Sequence, residues 1–216
     1  MPRGTTKRRP RTTAALIDAA FEVFAERGFY GASIEDICDR AGLTRGAFYS
    51  NFANKEELFF RLFDSHADRV VAFWADALAG VEDSDDPLAA LFEGLFQQEK
   101  DEQHWFLISA EFSLYAIRNP ETAEKLAAHD RELREKITPF LRDFFKRAGR
   151  KPDVDPDLLA RLLTAVHEGG MMQSLVEPAK LPLGTLERTF LEPLFTAVSH
   201  ETPKRPRRSA ARTARP

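Results

Sequence analysis

A single cysteine in 216 residues, Cys38, rules out an internal disulfide and suits a reducing compartment. Tyrosine and tryptophan are scarce, at 3 and 2, beside 18 phenylalanines. No run approaches the roughly 18 apolar residues of a membrane span. The basic N-terminus is not followed by the apolar core of a secretory signal. There is no HExxH, no glycine-rich phosphate loop and no cysteine pair for zinc. The histidines, His66, His104, His129, His167 and His200, show no metal-ligand spacing. Asp101 lies near His104, but a carboxylate-bridged dimetal bundle needs two such pairs and two further acids. The expectation is a chain with no catalytic residue, no metal and no cofactor.

Alanine, leucine, glutamate and arginine are plentiful and valine is sparse, a helical bias. The net charge of −3 conceals a polarised chain. Residues 1–11 carry Arg3, Lys7, Arg8, Arg9 and Arg11 with no acid, and residues 201–216 carry Lys204, Arg205, Arg207, Arg208, Arg212 and Arg215 against Glu201. Without those segments the 31 cations fall to 20 and the 34 acids to 33, leaving the middle at −13. Such a body repels DNA at long range, so attraction must come from local cations. Both ends are predicted to be disordered. Each reads either as a solubilising tail or as a DNA-contacting arm.

Residues 33–58, SIEDICDRAGLTRGAFYSNFANKEEL, carry the densest local signals. Ser33 with Asp36 three positions on suits a capping box, and Ile34, Ile37, Cys38 and Ala41 share one helical face. Cys38 on that face reads as a small core residue. Gly42 suits the helix C-terminus, and Thr44 caps a second helix on which Phe48 and Phe52 lie one turn apart. Two capped helices about a glycine turn make a helix-turn-helix pattern. Arg45 and Lys55 stand at helix starts, where a cation opposes the macrodipole unless an anion sits there too. DNA phosphate is the natural anion. Arg45 suits guanine O6 and N7, Gly46 lets backbone approach DNA, and the Tyr49 hydroxyl reaches for phosphate. Ser33, Thr44 and Lys55 stand at helix starts suited to phosphate.

This run resembles the tetracycline-repressor-like (TetR) family of one-component transcription regulators. The matching residues are Ala19-Ala20, Phe24, Glu26-Arg27-Gly28-Phe29, Ser33-Ile34, Ile37, Ala41-Gly42-Leu43-Thr44, Gly46-Ala47-Phe48-Tyr49, Phe52 and Asn54-Lys55-Glu56-Glu57-Leu58. They span residues 12–60 without gaps. Asn51 departs from the His or Tyr common in the family, which puts one phosphate contact in question. Tyr49 and Lys55 are the phosphate contacts the resemblance favours.

Around this unit, helices are predicted at residues 13–27, ended by Gly28, and 55–78, ended by Gly80. An acidic linker follows at 82–86, then a helix from Pro87. Further helices are predicted at 103–118, 120–147 with a kink at Pro139, 156–176 and 185–199. The fold class is all-α: an N-terminal three-helix helix-turn-helix domain plus a C-terminal helical ligand-binding and dimerisation bundle. Four segments result: a basic arm at 1–11, the DNA-binding domain at 12–60, the bundle at 61–200 and a basic tail at 201–216.

Trp74, Phe92, Phe96, Trp105, Phe112, Tyr115 and Phe140 are candidate walls of an apolar pocket, with Glu111 and His167 as polar anchors. An aromatic stripe at helical spacing also serves as ordinary core. The resemblance implies that the last two long helices pair with those of a second subunit, and Leu162, Val166, Gly169, Gly170, Leu191 and Leu194 are the candidate interface. The reading is a cytoplasmic, homodimeric regulator, nucleoid-associated through DNA. It binds a double-stranded operator as a repressor and is released by a small apolar or aromatic effector. The rival reading is an effector-independent architectural DNA-binding protein that uses its basic tails.

Overall fold

The computed structural model describes residues 8–80 and 100–202. The expected helix from Pro87, the acidic linker, Phe92, Phe96 and most of both basic ends lie outside the described residues. Those residues form eight helices and one short ribbon: α1 Arg8–Gly31, α2 Ile34–Ala41, α3 Arg45–Tyr49, α4 Lys55–Gly80, α5 Lys100–Ile117, α6 Pro120–Arg147, β1 Arg150–Pro152, α7 Pro156–Val176, α8 Thr185–Ala197 and β2 Ser199–Glu201.

Helix α1 starts earlier than expected, because Arg8–Arg11 continue it and Pro10 sits in its first turn, where a missing N–H costs nothing. Its regular backbone breaks at Gly28, at φ 71 and ψ 165. Helix α2 has the expected capping box: the Asp36 N–H donates to Ser33 Oγ and the Ser33 N–H to Asp36 Oδ2. Gly42 closes it in the left-handed region, at φ 65, and Thr44 Oγ1 accepts the Ala47 N–H to start α3. Asn54 caps α4 by accepting the Glu57 N–H at 2.8 Å. Helix α6 runs unbroken through Pro139, and α8 through Pro193. The antiparallel β1–β2 ribbon, which pairs Arg150 with Glu201, had no sequence signal.

Two apolar cores hold the chain. The first joins Leu16, Ala20, Phe24, Ile37, Phe48 and Phe52 of the head to Leu58, Phe59 and Leu62 of α4 and to Trp105, Ile108 and Phe112 of α5. The helix-turn-helix unit therefore shares one core with the body. The boundary expected at residue 60 is not a break in packing. The second core gathers Leu78, Leu141, Phe144, Phe145, Leu159, Leu191 and Phe195 at the far end of α4. Helix α4 belongs to both. Its 26 residues span about 39 Å at 1.5 Å per residue.

Candidate nucleic-acid interface

The head is locked before it meets any partner. Arg40 on α2 grips Glu22 at 2.8 Å and Glu26 at 2.7 Å on α1. The far end of α3 is tied to α1: Thr13 Oγ1 donates to Asn51 Oδ1 at 3.0 Å, and Asn51 Nδ2 donates to the Ala47 carbonyl at 2.7 Å. With both ends of its amide bonded inside the head, Asn51 holds α3 in place. Ser33 and Thr44 likewise direct their hydroxyls to their own helix starts.

The outward face of α3 carries Arg45 and Tyr49. The Arg45 side chain is 59% exposed, pairs with Glu35 of α2, and lies 5.9 Å from the centre of the Tyr49 ring. Tyr49 is itself half exposed, while Phe48 beside it is buried. Glu35 thus holds the guanidinium loosely at the protein surface until a stronger acceptor competes for it. Gly46 has open space where a side chain would stand, with Thr44 Oγ1 3.7 Å away as its nearest neighbour. Arg45, Gly46 and Tyr49 are brought together as the sequence implied. Cys38 is buried 2% exposed, and burial pushes its thiol up, which suits a core residue.

Lys55 is elsewhere. Its ammonium donates to the Phe29 carbonyl at 2.5 Å and the Ala32 carbonyl at 2.7 Å, and lies 4.6 Å from the centre of the Phe29 ring. Burial lowers its pKa. The expectation that Lys55 presents its charge to phosphate is corrected on this geometry. The side chain turns inward to the Phe29 and Ala32 carbonyls, because carbonyls at the end of a helix lack an intrahelical donor.

The same corner is gripped from the body. The Phe29 N–H donates to Glu111 Oε2 of α5 at 2.8 Å. A methyl group on Gly28 would collide with that carboxylate, 2.7 Å from Oε1, and the positive φ opposes a side chain as well. Phe112 stacks on Phe59 with ring centres 3.5 Å apart and meets Phe29 edge-on at 4.9 Å. Tyr115 donates its hydroxyl to Glu56 at the start of α4. One turn and a half of α5 therefore clamps the joint between α1 and α2. Glu111, expected in a pocket, is a joint residue instead, and Phe112 and Tyr115 line the same joint.

The other pocket candidates among the described residues do not converge either. Trp105 stacks on His66 at 4.1 Å in the first core, whereas Trp74 and Phe140 pack on the second. His167 Nδ1 lies 3.2 Å from Glu187 Oε1 in the seam between α7 and α8. Burial pushes His66 down to about 3, so this ring is neutral at neutral pH.

The candidate interface residues divide by face. Leu162 and Gly169 lie on the outer face of α7 or beside it, but Gly170 is buried, and a methyl there would stand 3.1 Å from Glu187 Oε2. Leu191 is buried in the second core, and Val166 and Leu194 pack against it. For Gly170 and Leu191 the expectation is corrected, since both are buried between α7 and α8 within one chain; Val166 and Leu194 pack on the second core but remain half-buried. The apolar residues left exposed are Leu158, Leu162, Met172 and Val176 on α7 and Phe190 on α8. Of these five only Leu162 stood among the interface candidates, although the spacing of Leu158, Leu162, Gly169, Met172 and Val176 is that of a helix–helix seam.

A capped helix-turn-helix with an exposed arginine on its second helix, built onto a helical body, defines a DNA-binding transcription regulator. Residues 16–62 match the family model for bacterial regulatory proteins of the tetR family, and residues 84–196 match the C-terminal domain of BetI-type transcriptional repressors. The chain belongs to the TetR family of transcription regulators. It is 30% identical over 159 residues to the transcriptional repressor KstR2 of Mycobacterium tuberculosis, covering 68% of this chain and 74% of that protein. It is 35% identical over 125 residues to the transcriptional activator FasR of Mycolicibacterium smegmatis, a match that spans 57% of this chain and 56% of FasR. Among solved structures, Salmonella enterica GusR superposes with a TM-score of 0.67 at 25% identity, covering 90% of this chain and 97% of that one. The fatty acid degradation regulator FadR of Bacillus halodurans has the same fold, with a TM-score of 0.65 at 20% identity over 90% of this chain and 96% of that one. These relatives are regulators, not enzymes. Among the described residues no helix is long and apolar enough to cross a membrane.

Proposed function

We propose that this chain is a homodimeric, effector-controlled repressor in which a small apolar or aromatic molecule bound in the body releases the head from its operator. The observation that carries this reading is the clamp of Glu111, Phe112 and Tyr115 on the corner at Gly28 and Phe29. A ligand that shifts α5 relative to α4 must either drag that corner, and with it α1 and α2, or break the clamp. Coupling of roughly 1–3 kcal/mol is typical of such linkage. Base contact falls to Arg45, with Gly46 permitting close approach and Tyr49 offering its hydroxyl to phosphate. Ser33, Thr44, Asn51 and Lys55 contribute by holding the head rigid. The exposed apolar line on α7, with Phe190 of α8, supports pairing with a second copy, which sets two heads on one duplex. Its place of action is the cytoplasm. The architectural alternative draws no support from relatives named as an activator and a repressor.

The test is a screen of small apolar and aromatic compounds for release of the full chain from a duplex selected out of random DNA. An effector should weaken wild-type binding at least several-fold. Glu111→Ala should bind the duplex with the effector's influence reduced, since the coupling passes through that carboxylate. If the effector acts equally on both proteins, coupling does not run through this clamp. If no compound in a broad screen alters binding, the effector-controlled reading fails.

A further inference from the structure

Helices α6 and α7 flank an open surface cleft of about 470 Å3 that lies apart from both the head and the joint. Its walls are Arg131, Arg134 and Arg142 of α6 and Arg161 of α7, with Glu135, Thr138, Pro139 and Asp157. Four guanidiniums and two carboxylates leave the lining net positive, in a body whose sequence is otherwise strongly acidic. Asp157 accepts Nε of Arg134 and Nε of Arg161, each at 2.9 Å, one on each carboxylate oxygen. That arrangement fixes one arginine from each helix and leaves the terminal nitrogens of both guanidiniums for another acceptor. Arg134 is the more constrained, with its side chain only 14% exposed. Among the described residues Arg131 and Arg142 have no ion-pair partner. They stand on the same α6 wall, exposed.

The geometry points to a binding site for a phosphorylated small molecule in this cleft. Guanidinium forks match phosphate oxygens in paired hydrogen bonds, and planar arginine suits that task better than lysine. The volume falls within the range of about 300–1,000 Å3 that holds organic ligands, so the site accommodates a phosphorylated organic molecule as well as a bare anion. Pro139 and the Thr138 methyl offer the non-phosphate part an apolar wall, the Thr138 hydroxyl being engaged with the Arg134 carbonyl at 2.8 Å. Bound phosphate would add a second polar bridge between α6 and α7 beside the Arg134–Asp157 pair and the apolar core the two helices share. The site is independent of the clamp described above.

Titration calorimetry of the full chain with pyrophosphate, ADP and adenosine tests this. Pyrophosphate and ADP should bind saturably and weaken with salt, whereas adenosine should not bind. The double variant Arg131→Gln/Arg142→Gln should lose at least about tenfold in affinity for ADP, because each lost charge-assisted bond is worth about that much. Its thermal midpoint should not move, since neither side chain has a partner to lose. Equal binding of ADP and adenosine, an unchanged affinity in the double variant, or no saturation with either phosphate would overturn the site. So would a variant whose only change is weaker binding to random duplex DNA, which would make the cleft a nucleic-acid contact.

Discussion

Arg45 stands at the first position of α3 with a partner, Glu35, that is itself half exposed. An exposed ion pair of this kind is worth at most about 1 kcal/mol, so it yields readily to a guanine edge or a phosphate. Arg45→Ala should weaken operator binding by about 1–3 kcal/mol and relax the preference at one base position, read by competition between operator and random duplex. Unchanged discrimination would exclude base reading by this side chain. His66 makes a second residue-scale prediction. Its folded pKa is depressed to about 3 from 6.5 by burial, so below 6.5 the unfolded chain takes up a proton that the native one refuses. Its contribution to stability therefore falls as pH drops from 6.5 toward 3. Between pH 7 and 5 wild type should lose about 2 kcal/mol relative to His66→Gln, measured by urea unfolding at each pH. Parallel curves would show that this ring titrates normally. At this scale the caps Ser33, Gly42 and Thr44 were legible, since each acts within a few residues of itself. The roles of Lys55 and Glu111 were not, because their partners lie 26, 23 and 82 positions away.

Helix α7 shows what periodicity can and cannot give. Its extent was legible from Asp155-Pro156 and the apolar run, and Asp155 does cap it. Its faces were not, because apolar residues occur nearly all round and only packing decides which are covered. Once α8 and α6 are placed, Leu158, Leu162, Met172 and Val176 remain outside, and Gly170 is covered by Glu187. The two kinds of position should separate experimentally. Met172→Asp and Phe190→Asp should convert the pair to lone subunits in sedimentation without loss of helical circular dichroism. Gly170→Arg should instead lower the thermal midpoint, because the new side chain must displace Glu187 from the seam. A dimer that survives both aspartates would place the interface on another face.

Across the whole molecule, the head and body share one core through α4 and α5, which ties their relative placement to the packing of those two helices. The family was legible from a quarter of the sequence, and the all-α class from helical patterning along the rest. The shared core was not, because it is built from contacts between Phe29, Phe59 and Phe112, which no local pattern connects. That rigidity matters only if two heads are held at a fixed distance. Selection of bound sites from random duplex DNA by the full chain tests this most directly. A twofold pair of heads should recover an inverted repeat with half-site centres a fixed distance apart, about 34–36 Å for adjacent major grooves. Recovery of a lone half-site, or of no shared sequence at all, would contradict it.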